Sequence, residues 1–272
     1  MALAVGYLRP SPSGFIPEAI VPMPAFEIFA FDTEVVGGRV VSVMPRPDFS
    51  FPLEEVLAAI TPKTRVVFVT NPNNPTGVST SPDAIRTVAR AVPPGAVVFV
   101  DEAYAEFSGQ TFIPELPAFP NVIVGRTFSK AFGLAGLRIG AITGDPATLE
   151  PLRLAIPVYS VNIAAVVALR AALSDRAFVD NYLAQVEQSK ALLYSTCRRL
   201  DLQFWPSAAN FVLVNMGARA EALVASAATR GVYLRDRSSE PGCRGCVRIT
   251  TGVVQHTQRV IDIMDEVLCA AR

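Results

Sequence analysis

The sequence predicts an α/β protein, with a mostly parallel sheet flanked by helices and a smaller C-terminal α+β domain. Continuous apolar runs at Val66–Val69 and Val97–Val100 are typical of strands buried on both faces of a parallel sheet. Between them, Ser81–Val92 has helical periodicity and begins with Ser-Pro, a favourable cap and first turn. After about residue 150, long helical segments replace this alternation.

The first eighteen residues carry three prolines and two glycines with little periodicity, which predicts an irregular arm over residues 1–18. The large domain is predicted over residues 19–155. Its strands are expected at Ala19–Met23, Val40–Met44, Arg65–Thr70, Ala96–Val100, Val122–Gly125 and Arg138–Thr143.

The C-terminal domain is predicted over residues 156–272. Its helices are expected at Ser160–Leu173, Ser174–Leu200, Ala218–Gly231 and from Val254 onward. Its strands are expected near Gln203–Met216, at Val232–Arg235 and at Cys246–Thr250.

Composition excludes several classes of function. Lys+Arg and Asp+Glu are equal at 24 each, so no basic excess indicates nucleic acid. The most apolar stretch, Leu154–Leu169, is interrupted by polar residues and proline, which predicts no membrane span. The single histidine and the lone Cys243-x-x-Cys246 predict no metal site, and we interpret the cysteines as small loop residues. Few cysteines and no signal peptide favour the cytoplasm.

Polar clusters follow the predicted strands at the edge where parallel sheets bind ligands. They are Thr70–Gly77, Asp101–Tyr104, Gly125–Lys130 and, eight residues later, Arg138. Pyridoxal phosphate (PLP) chemistry needs such groups: a lysine for a Schiff base, a carboxylate beside the pyridine nitrogen, and hydroxyls and arginine for the phosphate. Taken singly, each signal has a simpler interpretation as a turn, a helix cap or a surface lysine. Their order on successive strands favours the PLP site.

Thr70–Gly77, Asp101–Tyr104 and Thr127–Gly140 resemble the motifs of fold type I aminotransferases of class I and II, and most nearly those of histidinol-phosphate aminotransferases. The resemblance runs from about Val21 to the C-terminus. It implies that Lys130 forms the Schiff base and that Asp101 partners the pyridine nitrogen. The other implied cofactor contacts are Asn74 and Tyr104 at O3′, Thr127, Ser129 and Arg138 at the phosphate, and Phe26 stacked on the ring.

The resemblance also implies substrate contacts. Arg248 matches the arginine that binds a substrate α-carboxylate or its equivalent, and Arg235 matches one that binds substrate phosphate. Asn210 matches a motif near the site. Arg235 as a surface strand residue and Asn210 as a structural residue are the alternatives.

The family also has a helix whose N-terminus binds the cofactor phosphate, and no matching segment precedes Val21. Two hypotheses follow: a working enzyme whose phosphate contacts are Thr127, Ser129 and Arg138, or a truncated homologue that is weakly active or non-catalytic. A nucleotide-binding protein is disfavoured, since no glycine-rich phosphate loop is present.

The resemblance implies transfer of an amino group between L-histidinol phosphate and 2-oxoglutarate, a step of histidine biosynthesis. Its small-molecule partners would thus be an amino donor and a 2-oxo acid, and the chain would form a homodimer. Aminotransfer or decarboxylation of another substrate, such as an aromatic amino acid or threonine phosphate, stays open because substrate choice depends on pocket shape.

Overall fold

A computed structural model describes residues 2–12 and 14–269. Its large sheet has six strands in the order β2-β1-β3-β4-β5-β6. The first five strands are parallel, and β6 is antiparallel to β5. The strands are β1 (Glu18–Pro22), β2 (Arg39–Val43), β3 (Thr64–Thr70), β4 (Val97–Asp101), β5 (Val122–Thr127) and β6 (Gly140–Gly144).

Helices cover both faces of this sheet, as the apolar runs predict. Alternate residues of β3 face opposite cores, with Val67 and Val69 in one cluster and Val66 and Phe68 in the other. The helices are α1 (Ala2–Tyr7), α2 (Ile28–Val35), α3 (Leu53–Ala59), α4 (Pro82–Ala91), α5 (Ala105–Ser108) and α6 (Pro146–Ala155). The predicted start of α4 is confirmed, since the Ser81 hydroxyl accepts a hydrogen bond from the Ala84 amide at 3.2 Å.

The prediction of an irregular N-terminal arm is wrong over α1. Leu3, Ala4 and Leu8 are buried in the same cluster as Leu152 of α6. A helix of about one and a half turns is not stable in isolation, so α1 depends on tertiary packing against α6. The local periodicity of the sequence therefore does not predict it.

A smaller α+β domain follows, as predicted. Its antiparallel sheet has the order β7-β8-β10-β9. Helices α8, α9 and α10 pack on one face of this sheet around Leu193, Leu223 and Met264. The elements are α7 (Ile163–Ser174), α8 (Arg176–Arg199), β7 (Phe204–Trp205), β8 (Phe211–Asn215), α9 (Ala220–Thr229), β9 (Arg235–Asp236), β10 (Cys246–Thr250) and α10 (Val254–Cys269).

Two predicted strands differ from the structure. The segment near Gln203–Met216 forms two strands, because residues 206–210 bend between them. The strand expected at Val232–Arg235 is only the two-residue β9, which begins at Arg235. The predicted domain boundaries after residues 18 and 155 stay predictions. Among the helices of the described residues, none has the length and apolar character needed to cross a bilayer.

A close backbone approach at Gly77 joins the two domains. The Ala208 amide donates to the Gly77 carbonyl at 2.8 Å. Within the smaller domain, the buried Lys190 amine donates to the Ser207 carbonyl at 2.9 Å and so holds this segment in place. Gly77 has a φ of +76°, and a Cβ atom there would lie 2.1 Å from the Ser207 Oγ. This contact therefore requires glycine.

We predict that Gly77→Ala lowers the free energy of unfolding by about 2–4 kcal/mol, because left-handed backbone strain adds to the clash with Ser207. Gly95→Ala is the matched control, since Gly95 has a φ of +80° and an added Cβ meets nothing within 4 Å. The control should cost only about 1–2 kcal/mol. Urea denaturation of both variants measures the difference, and equal losses would contradict the proposed contact.

Candidate active site

A cleft of about 1210 Å³ opens where β3, β4 and β5 end. In register, Thr70 pairs with Asp101 and Asp101 with Gly125, so the carboxyl ends of the three strands form one row. The cleft collects ten of the eleven residues predicted for the site. They are Phe26, Asn74, Asp101, Tyr104, Thr127, Ser129, Lys130, Arg138, Arg235 and Arg248.

Asp101 is the last residue of β4 and forms part of the cleft floor. One carboxylate oxygen accepts a hydrogen bond from the Ala103 amide at 2.9 Å. Desolvation raises the pKa of Asp101 from 3.8 to about 6, against the lowering effects of that hydrogen bond and of the Lys130 charge. Because burial destabilises the negative charge of Asp101, a cationic group that carries a proton would stabilise the carboxylate by pairing with it.

Lys130 lies three residues after β5, in the turn that leads to β6. Its amine is 5.5 Å from the centroid of the Tyr104 ring. Desolvation and the positive charge of Arg248 lower the pKa of Lys130, and the negative charge of Asp101 opposes them. The neutral, nucleophilic amine is therefore more populated than in a surface lysine.

Thr127 and Ser129 place two hydroxyls beside Lys130. The hydroxyls lie 2.8 Å apart, and the Ser129 amide donates to the Thr127 hydroxyl at 3.2 Å. Arg138 also lines the cleft, and its own backbone has a φ of +52°. Its guanidinium donates a hydrogen bond to the Ala135 carbonyl at 3.0 Å. Hydroxyls and guanidinium are donors suited to a phosphate.

Arg248 extends from β10 over the opposite side of the cleft. Its guanidinium donates to the Asn74 side-chain oxygen and lies 5.0 Å from the centroid of the Phe211 ring. The Arg248 Nε is buried and has no hydrogen-bond partner among the described residues. A buried donor of this kind can bind an incoming anion without first breaking another bond.

The cleft is also lined by three arginines that were not among the predicted site residues. Arg126 pairs with Glu102 at 2.9 Å, Arg153 with Glu150 at 3.4 Å, and Arg237 with Glu240 at 2.6 Å. Arg126 lies within the predicted cluster Gly125–Lys130 but has no predicted role there, because its pairing with Glu102 depends on tertiary structure. No sequence signal marked Arg153 or Arg237, since their carboxylate partners lie at an ordinary i,i+3 spacing. Within the part of the chain that the structure describes, the cleft arginines without a carboxylate partner are Arg138, Arg235 and Arg248.

Asn210 and Phe26 differ from the other predicted site residues in their positions. Asn210 is buried but does not line the cleft, and its carbonyl accepts a hydrogen bond from the Thr251 amide at 2.8 Å. Its predicted substrate contact stays a prediction. Phe26 lines the cleft and has 47% of its surface exposed, so its ring is accessible for stacking.

The described residues fit PLP. A lysine with a lowered pKa, a desolvated carboxylate, a buried phenol at Tyr104 and two hydroxyls with an arginine all face one cleft. Burial raises the pKa of Tyr104, which keeps its phenol protonated as a hydrogen-bond donor.

Comparison with known proteins gives one consistent result. The family model for aminotransferases of class I and II matches residues 17–263. Histidinol-phosphate aminotransferase of Methanocella arvoryzae is 38% identical over 92% of this chain, which spans 69% of that relative. The Symbiobacterium thermophilum enzyme of the same name is 35% identical over 98% of this chain, which spans 72% of it.

A solved structure agrees with these sequence matches. The crystal structure of histidinol-phosphate aminotransferase from Sinorhizobium meliloti in complex with pyridoxal-5'-phosphate superposes with a TM-score of 0.86 at 28% identity. The similarity covers 94% of this chain and 71% of that one. The predicted fold class and cofactor are confirmed.

We predict that Asp101→Asn stabilises the cofactor-free protein. A carboxylate whose pKa is raised costs stability as pH rises from 3.8 through about 6, and the full cost applies above 6. The gain from Asn should therefore be larger at pH 8 than at pH 5 by about 1 kcal/mol. Urea unfolding at both values measures it. Asp180→Asn, an exposed substitution on α8, is the control and should change stability by less than about 0.5 kcal/mol. A pH-independent gain would contradict the raised pKa.

Proposed function

The chain belongs to the class I and II aminotransferase family, whose members are PLP-dependent transaminases, and we propose that it transfers an amino group between L-histidinol phosphate and 2-oxoglutarate. The coarser assignment follows from the matches: an amino donor and a 2-oxo acid are the substrates. The choice of histidinol phosphate is the proposal.

One observation carries the proposal. Arg235 and Arg248 are register partners on the adjacent antiparallel strands β9 and β10, and both line the cleft. Directly opposed residues lie about 4.5–5.5 Å apart at the backbone, so two cations meet at one end of the site. Neither has a carboxylate partner among the residues that the structure describes. Such a pair fits a dianionic phosphate or a carboxylate, and the names of the relatives favour the phosphate substrate.

The roles of the chain's own residues follow from their positions. PLP supplies an electron-withdrawing ring that eases loss of the proton from the substrate's α-carbon. Asp101 would hold the pyridine nitrogen in its protonated form, and Tyr104 and Asn74 would donate hydrogen bonds at O3′. The Lys130 amine would bind the cofactor and, once displaced by the substrate's amine, would move the α-proton.

Arginine and hydroxyl donors fix the two ends of the complex. Thr127, Ser129 and Arg138 would hold the cofactor phosphate, while Arg248 and Arg235 would hold the substrate anion. Phe26 would cover the exposed face of the ring. With both ends fixed, the substrate's α-carbon would be held beside the Lys130 amine, and alignment of this kind supplies much of the rate enhancement in such sites.

We propose that the chain forms a homodimer through residues 154–167. Large apolar side chains are exposed there, including Leu154 at 82%, Val158 at 89%, Tyr159 at 96% and Ile163 at 77%. A concentration of exposed large apolar side chains in one segment is typical of an interface between proteins. The same segment lines the cleft through residues 156, 157, 160 and 161, so a second copy would also close the cleft.

We predict that Arg235→Gln raises KM for L-histidinol phosphate by about tenfold and leaves KM for L-glutamate nearly unchanged, since a charged hydrogen bond to phosphate is worth about 1.5–3 kcal/mol and Arg235 is exposed. Steady-state transamination assays measure both constants.

Two variants complete that experiment. Arg219→Gln changes an exposed arginine outside the cleft and should alter neither constant. Lys130→Ala should abolish transamination with every donor while the protein still folds. Wild-type protein that accepts phenylalanine or threonine phosphate in preference to histidinol phosphate would refute the substrate proposal.

We predict that Val158→Asp shifts the protein from dimer to monomer in sedimentation velocity, because a carboxylate would be buried in an apolar interface. Met44→Asp is the control: Met44 is 61% exposed and follows β2, the strand at the far edge of the sheet. It should leave the mass unchanged. A wild-type protein that sediments as a monomer at micromolar concentration would overturn the dimer.

A further inference from the structure

Cys243 and Cys246 form a buried pair beside the substrate-binding strand, outside the groups that the transamination mechanism uses. Cys243 is 0% exposed and Cys246 is 1% exposed. Both belong to one apolar cluster with Phe49 and Leu213. We propose that these two thiols are a redox site: a small-molecule disulfide such as oxidised glutathione converts them to a Cys243–Cys246 disulfide, which weakens substrate binding at Arg248.

Backbone geometry brings the two cysteines within reach of each other. The Cys246 amide donates to the Cys243 carbonyl at 2.8 Å, which closes a four-residue turn. Gly245 has a φ of +75° within that turn. The ends of such a turn lie less than about 7 Å apart at Cα, and disulfides span about 4.4–6.8 Å. The turn therefore holds the pair at a separation that a disulfide can bridge.

The two thiols differ in their readiness to ionise. Their mutual interaction raises the pKa of Cys243 and lowers the pKa of Cys246. Cys246 is therefore the sulfur that more readily becomes a thiolate, the form that attacks disulfides. Cys197 offers a contrast, since burial raises its pKa to about 12 and no second thiol shares its cluster among the described residues.

The exchange is balanced. The Cys246 thiolate attacks one sulfur of oxidised glutathione and releases one glutathione thiolate. The Cys243 sulfur, after losing its proton, attacks Cys246 in the mixed disulfide and releases the second glutathione. The protein loses two protons and two electrons, and oxidised glutathione becomes two thiols. The glycine-containing loop before β10 must open locally to admit the reagent, so we expect slow but complete exchange.

The pair is coupled to the site through one face of the small sheet. Side chains alternate along a strand, so Cys246 and Arg248 of β10 lie on the same face. Leu213 is the register partner of Arg248 and also packs in the cluster that contains both cysteines. In addition, the Arg237 amide donates to the Cys246 carbonyl at 2.8 Å, directly after β9. A disulfide that repacks Leu213 would therefore shift the Arg248 guanidinium.

Trypsin provides a direct test in the PLP-loaded protein. Cleavage after Arg244 separates Cys243 from Cys246, so a disulfide keeps the fragments Ser238–Arg244 and Gly245–Arg248 joined. After incubation with oxidised glutathione, we expect this linked fragment in a non-reducing digest and its loss after dithiothreitol. Cys197 should stay reduced. No linked fragment, or a glutathione adduct that persists on Cys197, would overturn the site.

Kinetics test the coupling separately. Oxidation should raise KM for L-glutamate by about three- to tenfold with kcat nearly unchanged, because the contact of Arg248 with the substrate carboxylate is lengthened rather than lost. Dithiothreitol should return the KM for L-glutamate to its value before oxidation. Cys246→Ser should not respond to oxidised glutathione, and Cys197→Ser should respond as wild type does. A linked fragment with unchanged KM would overturn the coupling to Arg248. An inactive but oxidisable protein would instead contradict the proposed function, so the two failures are distinguishable.

Discussion

Hydrogen bonds between the backbones of β3, β4 and β5 hold Thr70, Asp101 and Gly125 in one row. Asp101 and Lys130, the two charged groups at the centre of the cleft, take their positions from that row. The loops that leave these three strands carry Asn74, Tyr104 and Lys130, so the ladder sets where each begins. A slip of one residue in β4 would turn Asp101 to the opposite face and remove the carboxylate from the cleft.

The cleft is a place where the fold accepts unfavourable electrostatics. Asp101 is desolvated, Lys130 lies near two arginines, and Arg248 has a buried nitrogen that no described residue hydrogen-bonds. The pairs Arg126–Glu102 and Arg237–Glu240 offset positive charge nearby and leave the central groups uncompensated. A cofactor with a cationic nitrogen and a carbonyl carbon would satisfy Asp101 and Lys130, and a substrate anion would satisfy Arg248, which explains why these groups stay unsatisfied in the protein alone.

Much of this arrangement follows from the sequence. Apolar runs such as Val97–Val100 identify buried strands, and the Ser-Pro pair identifies the start of α4. The polar residues after those strands predicted most of the cleft. The rest depends on distant contacts. Helix α1 exists because Leu3 and Leu8 meet α6, and the pairing of Arg126 with Glu102 joins two neighbouring strands. The antiparallel direction of β6 likewise depends on a chain reversal that periodicity does not reveal.

Arg138, Arg235 and Arg248, the cleft arginines that lack a carboxylate partner among the described residues, make binding sensitive to the salt in the surrounding solution. Charges at the cleft attract anions over about one Debye length, roughly 8 Å at physiological ionic strength. Association of a doubly charged substrate should thus slow as salt increases, and inorganic phosphate or sulfate should compete for the same guanidinium groups. The cationic cleft thereby makes the protein's apparent affinity a property of the buffer as well as of the fold.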